Sequence, residues 1–327
     1  MAAGVDLFER RNRLRIVALV VLATLNYIVA VIMAAIAFGL TLAIAILVEG
    51  DVGTDTGSVV IFLIGVGIVA AVSIVIGILV GLGRIPFLRR RLERRMLEHT
   101  GARIIEPEER TELRNLLEGL AIASGVPMPR VAVIDDPAPN SFGVGTRPEN
   151  TVIGVTSGLS ERLSRRELEA VLAYEVSRIR SWDVALSSWT VALTGGAIAA
   201  IDGGDDSFLR AVLGFVPRRL GQWLQVWTLR DQGVRRDQVA VQFTRNPLAL
   251  ISALEKLDAD RSQIRRVTRS TAPLWLEFPT GMLDTSSGPS RRLARELLLD
   301  ERIDHLRELA GQPLREASRR PLPGLLG

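Results

Sequence analysis

One helix-forming stretch decides the fold: SRRELEAVLAYEVSRIRSWD, residues 164–183. Its first residue, Ser164, is followed three positions later by Glu167, which is the spacing of a capping box at the start of a helix. Apolar residues then recur at helical spacing, at Leu168, Val171, Leu172, Val176 and Ile179. This spacing predicts a helix with one buried face. Tyr174 and Arg178 are four residues apart, so they lie on the same side of that helix.

The 327-residue chain as a whole is unusually apolar, with 48% hydrophobic and only 5% aromatic residues. The apolar residues are concentrated in uncharged runs, which indicates a membrane protein with a water-soluble part. The chain has no cysteine, which excludes disulfides and thiolate metal ligands, and its only histidines are His99 and His305. Arginines flank the apolar runs instead of forming a basic face with aromatic residues, so we expect no nucleic-acid partner.

Two long uncharged runs come before the soluble part. They cover residues 16–48 and 58–83, and each is long enough to cross a bilayer, which takes roughly 20 apolar residues. We therefore predict an N-terminal transmembrane helical hairpin within residues 1–95. Arginines cluster on both outer flanks and the intervening loop is acidic, which predicts that both ends of the hairpin are cytoplasmic.

The remaining sequence divides by composition into four parts. We predict a first soluble part at 96–183, a membrane or interfacial hairpin at 184–229, a helical second soluble part at 230–318 and a disordered tail at 319–327. Within the first part, the patterns predict a helix over 107–124 and strands at 131–134 and 151–156. Arginines interrupt the segment 208–229, and burying them in lipid is costly, so an interfacial position stays open for it.

Several stretches, taken in order, resemble one family of membrane enzymes. They are Asn140–Gly145, Val155–Leu159, Glu167–Ala173, Asp183, Arg236–Pro247 and Asp300–Ile303. Over about residues 100–310 the chain resembles HtpX-type and CAAX-prenyl-protease-like membrane zinc metallopeptidases, which are gluzincins. The resemblance implies a mainly α membrane protein of a prokaryotic inner or plasma membrane. It also implies a cytoplasmic α+β metallopeptidase-like domain with a small sheet.

The family's zinc site departs from its pattern in this chain. The family motif is His-Glu-x-x-His on a helix, with a further Glu from a later helix, and here the matching residues read Tyr174-Glu175-Val176-Ser177-Arg178. The later ligand position falls at Gly233. Arginine cannot donate a lone pair, and a neutral phenol is a poor zinc ligand. We therefore expect no metal and no other cofactor, although the family uses zinc. Only Glu175, at the general-base position, is retained, and we expect it to be inactive.

Two alternatives for this site stay open. Asp231 lies near Gly233 in sequence and could contribute to a rearranged metal site. Glu175 could be a retained base or the partner of Arg178 in an ion pair, since residues three apart are neighbours on a helix. A sharper hypothesis places Arg178 in the former zinc position, neutralised by Glu175 and by one of two pocket carboxylates, Asp183 or Asp237.

The resemblance also implies a peptide-binding strand. It comprises Thr151, Val152, Ile153, Gly154 and Val155, which would pair with an extended substrate or would be an ordinary sheet strand. We expect a non-catalytic pseudoprotease that binds the lipid bilayer and a peptide, a protease or a membrane protein. Two alternatives are a divergent active metalloendopeptidase of membrane-protein quality control, and a structural subunit whose pocket is filled by its own side chains.

Overall fold

The computed structural model describes residues 9–21, most of 93–109, all of 111–199, 233–260 and 289–313, and scattered positions that include 274–276. The predicted spans at 16–48 and 58–83, the segment 208–229 and the tail at 319–327 lie wholly or largely outside these residues. Among the residues that are described, no helix is both long and apolar enough to cross a membrane.

A four-stranded mixed sheet forms one side of the domain. Its strands are β1 (Arg103–Ile104), β2 (Arg130–Ile134), β3 (Ser141–Val144) and β4 (Val152–Thr156), in the spatial order β1-β2-β4-β3. Strands β2 and β4 are parallel, and the two outer pairings are antiparallel. The two predicted strands are confirmed as β2 and β4. Strand β3 was not predicted, because its four residues include a serine and a glycine and are all buried, so polar and apolar residues do not alternate.

Besides the N-terminal helical segment at residues 9–21, seven helices belong to the described fold. They are α1 (Thr111–Ser124), α2 (Ser157–Arg162), α3 (Arg165–Arg180), α4 (Asp183–Ala199), α5 (Gly233–Thr244), α6 (Pro247–Ala259) and α7 (Pro289–Leu309). A short 3-10 helix, Pro148–Asn150, connects β3 to β4. A helical domain with a small mixed sheet is therefore the observed architecture, as predicted for the soluble part.

Helix α3 is the centre of the domain and begins with the predicted cap. The Ser164 hydroxyl accepts from the Glu167 amide at 3.4 Å, and the Glu167 carboxylate accepts from the Ser164 amide at 2.7 Å. The helix packs against α1, α5 and α6, and β3 lies on its remaining side. Twelve of its 16 residues are buried, which is why its polar residues also lie inside the protein.

Helix α4 joins this core to the N-terminal helical segment, residues 9–21. Ile16 and Leu19 pack against Ala185, Leu186 and Trp189, and the Ser188 hydroxyl accepts from a backbone amide after β3 at 3.0 Å. The first turns of the segment that we predicted as a membrane or interfacial hairpin, 184–229, are thus packed into the domain.

Candidate functional site

The inner face of α3 carries the residues predicted from the metallopeptidase motif. Tyr174 is 3% exposed, Glu175 is completely buried, and Arg178 is 1% exposed. Residues 174 and 178 are one helical turn apart, and Glu175 lies beside them, as the i, i+4 spacing requires. Arg178 is among the largest fully buried side chains of the described core. The site therefore has a guanidinium in its interior, and burying a charge in this way requires a partner.

The partner is Glu175. Arg178 Nη1 donates to Glu175 Oε2 at 2.9 Å, which confirms the ion-pair interpretation of these two residues. The other carboxylate oxygen, Oε1, accepts from the Ser141 hydroxyl of β3 at 2.8 Å. Both oxygens of Glu175 are thus occupied, and no part of the side chain reaches solvent. The carboxylate of Glu175 is thus enclosed by Arg178 and Ser141.

The two pocket carboxylates are neutralised by other arginines. Asp183 accepts from Arg236 Nε at 2.8 Å and from Asn12 Nδ2 at 2.7 Å. Asp237 accepts two hydrogen bonds from Arg302, at 2.8 and 2.9 Å. The expectation that one of them neutralises Arg178 is therefore wrong, because each already has a guanidinium within hydrogen-bond distance.

Tyr174 lies between the two further arginines. The Arg302 guanidinium is 5.0 Å from the centre of its ring, in a cation–π contact. Burial by itself would lower the pKa of the Arg236 guanidinium, but Asp183 and a hydrogen bond with Tyr174 outweigh it and hold that pKa above its ordinary value. Tyr174 thus contacts two cations, and this position disfavours a third one such as a metal ion.

The third predicted position, Gly233, is the first residue of α5, the helix packed against α3. It supplies no side-chain donor. Asp231 and His99 lie outside the described residues, and His305 on α7 contacts Gln238. In the part of the chain that the structure describes, no group of three or more His, Cys, Asp or Glu side chains is arranged to hold a metal ion. The side chains at 178 and 174, an arginine and a tyrosine, are not zinc ligands of the usual kind and do not fit a zinc site.

Carboxylates and guanidinium groups are matched one to one around α3. The pairs are Glu175 with Arg178, Asp183 with Arg236, and Asp237 with Arg302, and every one of these six residues is at most 9% exposed. A buried charge is tolerated when it is paired and hydrogen-bonded. The pairing of these three carboxylates is complete without a divalent cation.

The predicted peptide-binding strand, Thr151 to Val155, does not present a free backbone edge. Thr151 precedes β4, and Val152–Val155 lie within it, between β2 on one side and β3 on the other. Both rows of backbone hydrogen-bonding groups are occupied, so this interpretation is wrong. The edge strands of the sheet are β1 and β3, and on the outer side of β3 Phe142 forms an antiparallel bridge with Trp275.

Sequence reasoning missed Ser141, Arg236, Arg302 and the segment Leu274–Leu276 as site residues. The first three lie within stretches that carry the family resemblance, so the resemblance pointed to the right segments but not to these side chains. Leu274–Leu276 had no such signal, because three apolar residues are too few to predict an element.

Comparison with known proteins agrees with this architecture. Residues 107–309 match the profile of the peptidase family M48. A protease HtpX homolog of Dictyoglomus turgidum is 31% identical over 252 residues, which cover 72% of this chain and 82% of that protein. A protease HtpX homolog of Tropheryma whipplei is 32% identical over 234 residues, covering 65% and 77% of the two chains. One from Streptococcus gordonii is 29% identical over 237 residues, with coverage of 65% and 78%. The chain belongs to peptidase family M48, as an HtpX-type member.

Proposed function

We propose that this protein is a membrane-anchored pseudoprotease, which binds an extended segment of another protein without cutting it. The observation that carries the proposal is the buried Arg178, hydrogen-bonded to Glu175 at 2.9 Å at the place where the motif spacing requires a zinc ligand. An arginine is protonated at any pH at which the protein folds and donates no lone pair. A zinc ion at this position would place its two positive charges next to the positive charge of the Arg178 guanidinium.

The same geometry supports a loss of zinc chemistry. A zinc peptidase needs a metal-bound water and a base that can take its proton. Here the base position, Glu175, is held by Arg178 and Ser141 and is closed to solvent. Binding of a partner does not need either element, because backbone pairing and apolar contacts are sufficient for it.

Exposed apolar residues support a membrane anchor. On the N-terminal helical segment, Leu14, Val17 and Val21 are 58–69% exposed and share one helical face. Ile68, Val72 and Val75, in the second uncharged run, are exposed at similar spacing. An apolar face of this kind is stabilised by lipid. With the arginine clusters on both flanks, we place the protein in the inner or plasma membrane of a prokaryote, with its soluble domain cytoplasmic.

The partner that we propose is a peptide, a membrane protein or a protease. The sheet edge at β3 binds chain segments through backbone atoms, which favours an unfolded or extended segment over a folded surface. The alternative, a divergent active membrane metalloendopeptidase of protein quality control, requires a metal held by donors other than Tyr174 and Arg178.

The decisive test is the metal content of the full-length protein, purified in detergent and measured by mass spectrometry. The wild type is compared with the triple variant Tyr174→His, Arg178→His, Gly233→Glu. These changes remove one positive charge and add one negative charge, a total of two units, which equals the charge of Zn²⁺. We expect no zinc in the wild type and about one equivalent in the triple variant.

A double variant, Tyr174→His with Gly233→Glu, is the matched control. It retains Arg178, so we expect it to bind no zinc although it has two new ligands. Stoichiometric zinc in the wild type, together with cleavage of an unfolded protein substrate, would overturn the pseudoprotease proposal and establish the active alternative.

A further inference from the structure

A short segment of the chain covers the outer edge of β3. The Leu276 amide donates to the Ser141 carbonyl at 2.8 Å, next to the antiparallel bridge between Phe142 and Trp275. All three residues of the segment Leu274–Leu276 are buried. An exposed sheet edge is a template for an added strand, and here the chain itself supplies one.

Arg178 binds the backbone of this segment. Its Nη1 atom donates to the Leu274 carbonyl at 3.1 Å, as well as to Glu175. A metal ion at such a position would polarise a carbonyl as a Lewis acid and would also activate a water. A guanidinium binds the carbonyl by a charge-assisted hydrogen bond but activates no water. Arg178 can therefore bind a peptide carbonyl without promoting hydrolysis of the peptide bond.

The internal segment does not satisfy every donor around it. Trp275 Nε1 and Arg178 Nε are both buried and have no hydrogen-bond partner among the described residues. Buried polar groups in native proteins are usually paired, and an unpaired one reduces stability. The apolar contacts are better matched, since the rings of Phe142 and Trp275 are 5.2 Å apart and tilted by 54°. Arg178 Nε belongs to the site, whereas Trp275 Nε1 belongs to the internal segment and leaves with it. A different chain segment that supplied an acceptor to Arg178 Nε, and buried no unpaired donor of its own, would fit more favourably.

We propose that Leu274–Leu276 is an intramolecular pseudosubstrate. It occupies a site for an extended peptide with apolar side chains, which pairs with the outer edge of β3 and binds Arg178 through one carbonyl. The external segment enters when Leu274–Leu276 leaves. This inference rests on the proposed function, because it needs a guanidinium instead of a metal at the carbonyl-binding position.

The test is the binding of a fluorescein-labelled peptide with the sequence of residues 271–280, TAPLWLEFPT, to full-length protein in detergent. Trp275→Ala removes the ring contact and weakens the internal competitor. Affinity for an external ligand scales with the fraction of protein whose site is open, so fluorescence anisotropy should show binding at least roughly tenfold tighter than to the wild type.

Trp189→Ala is the matched control. This tryptophan is as buried as Trp275, at 5% exposure, but it packs against the N-terminal helical segment. We expect its affinity for the peptide to stay within about twofold of wild type, because truncating it leaves the internal competitor in place. A Trp275→Ala variant that binds no more tightly than Trp189→Ala would overturn the pseudosubstrate proposal.

Hydrogen exchange of the wild type decides the question if Trp275→Ala does not fold. Saturating peptide should accelerate exchange of the Leu276 amide, since its bond to Ser141 is broken when the segment leaves. An amide that stays protected at saturating peptide would mean that the segment is a permanent part of a structural subunit. The two proposals fail separately. Stoichiometric zinc in the wild type together with cleavage of an unfolded protein refutes the pseudoprotease, whereas zinc-free protein with a protected Leu276 amide refutes only the pseudosubstrate.

Discussion

The buried pair of Glu175 and Arg178 predicts a large coupling energy. Arg178→Met keeps the length of the side chain and removes the charge, which leaves the carboxylate of Glu175 buried with only the Ser141 hydroxyl as its donor. Removing one partner of a buried ion pair costs about 3–5 kcal/mol. Because Glu175 is completely buried and solvent cannot compensate, we expect a loss of about 4 kcal/mol in the free energy of unfolding for this variant.

The second single variant and the double variant complete a cycle. Glu175→Gln keeps an amide oxygen as an acceptor but removes the negative charge that balances the buried guanidinium of Arg178, and we expect a loss of about 3 kcal/mol. The double variant buries two neutral side chains, and replacing both members of a buried pair is often close to neutral. The double variant should therefore lose less than about 3 kcal/mol and be more stable than either single variant. Because the two single losses sum to about 7 kcal/mol, the coupling energy should be at least about 4 kcal/mol.

The assay is denaturant unfolding of the full-length protein in one fixed detergent, followed by tryptophan fluorescence. The matched control is the exposed pair of Arg103 and Glu109, whose 2.7 Å distance resembles that of the buried pair but whose side chains are 66% and 42% exposed. We expect its coupling energy to be below about 0.5 kcal/mol. Equal coupling in the two pairs would refute the conclusion that burial makes Arg178 indispensable to Glu175.

Three further predictions concern the surroundings of the site. The pKa of Glu167 is about 2, because hydrogen bonds to its lysine partner and to two serines outweigh the effect of burial. The lowered pKa contributes about 2 kcal/mol to the free energy of unfolding after allowance for screening, and this contribution is lost as the pH falls from about 5 to 2. The free energy of unfolding of Glu167→Gln should not show this decrease between about pH 5 and 2. Gly154→Ala places a methyl group against the Phe142 ring and should cost about 3 kcal/mol in thermal unfolding, whereas Gly119→Ala meets open space and should not destabilise its helix. Asn12→Ala removes one buried and one partly buried hydrogen bond and should cost about 2 kcal/mol, with faster hydrogen exchange in residues 9–21.

Local patterns made part of this structure predictable. The capping box and apolar spacing of residues 164–183 predict helix α3 because both are set by neighbours within one or two turns. The ion pair between Glu175 and Arg178 was predictable for the same reason, since its members are three residues apart.

Contacts between distant segments were not predictable in the same way. Asp183 and Arg236 are 53 residues apart, Asp237 and Arg302 are 65 apart, and a chain with 40 Lys and Arg residues offers many other partners. The wrong prediction that β4 has a free edge has the same origin. A strand buried on both faces shows no alternation of polar and apolar residues, and its sequence does not tell whether one or two strands pair with it. Only the registers of β2 and β3 with β4 settle that it is interior.

Charge explains why a site of this kind resists a stepwise return to metal binding. Arg178→His alone would remove the cation from Glu175 without creating a metal site, and would leave a buried carboxylate unpaired. Tyr174→His alone would take away the ring that Arg302 covers and the phenol that contacts Arg236. Gly233→Glu alone would add a negative charge to a set of pairs that is already matched. We therefore expect each single reversal to lower stability, and the three together to recover it only with zinc, whose two positive charges offset the two units that the reversals remove. An Arg178→His variant as stable as the wild type in the absence of zinc would show that the buried carboxylate of Glu175 does not need the guanidinium at 178.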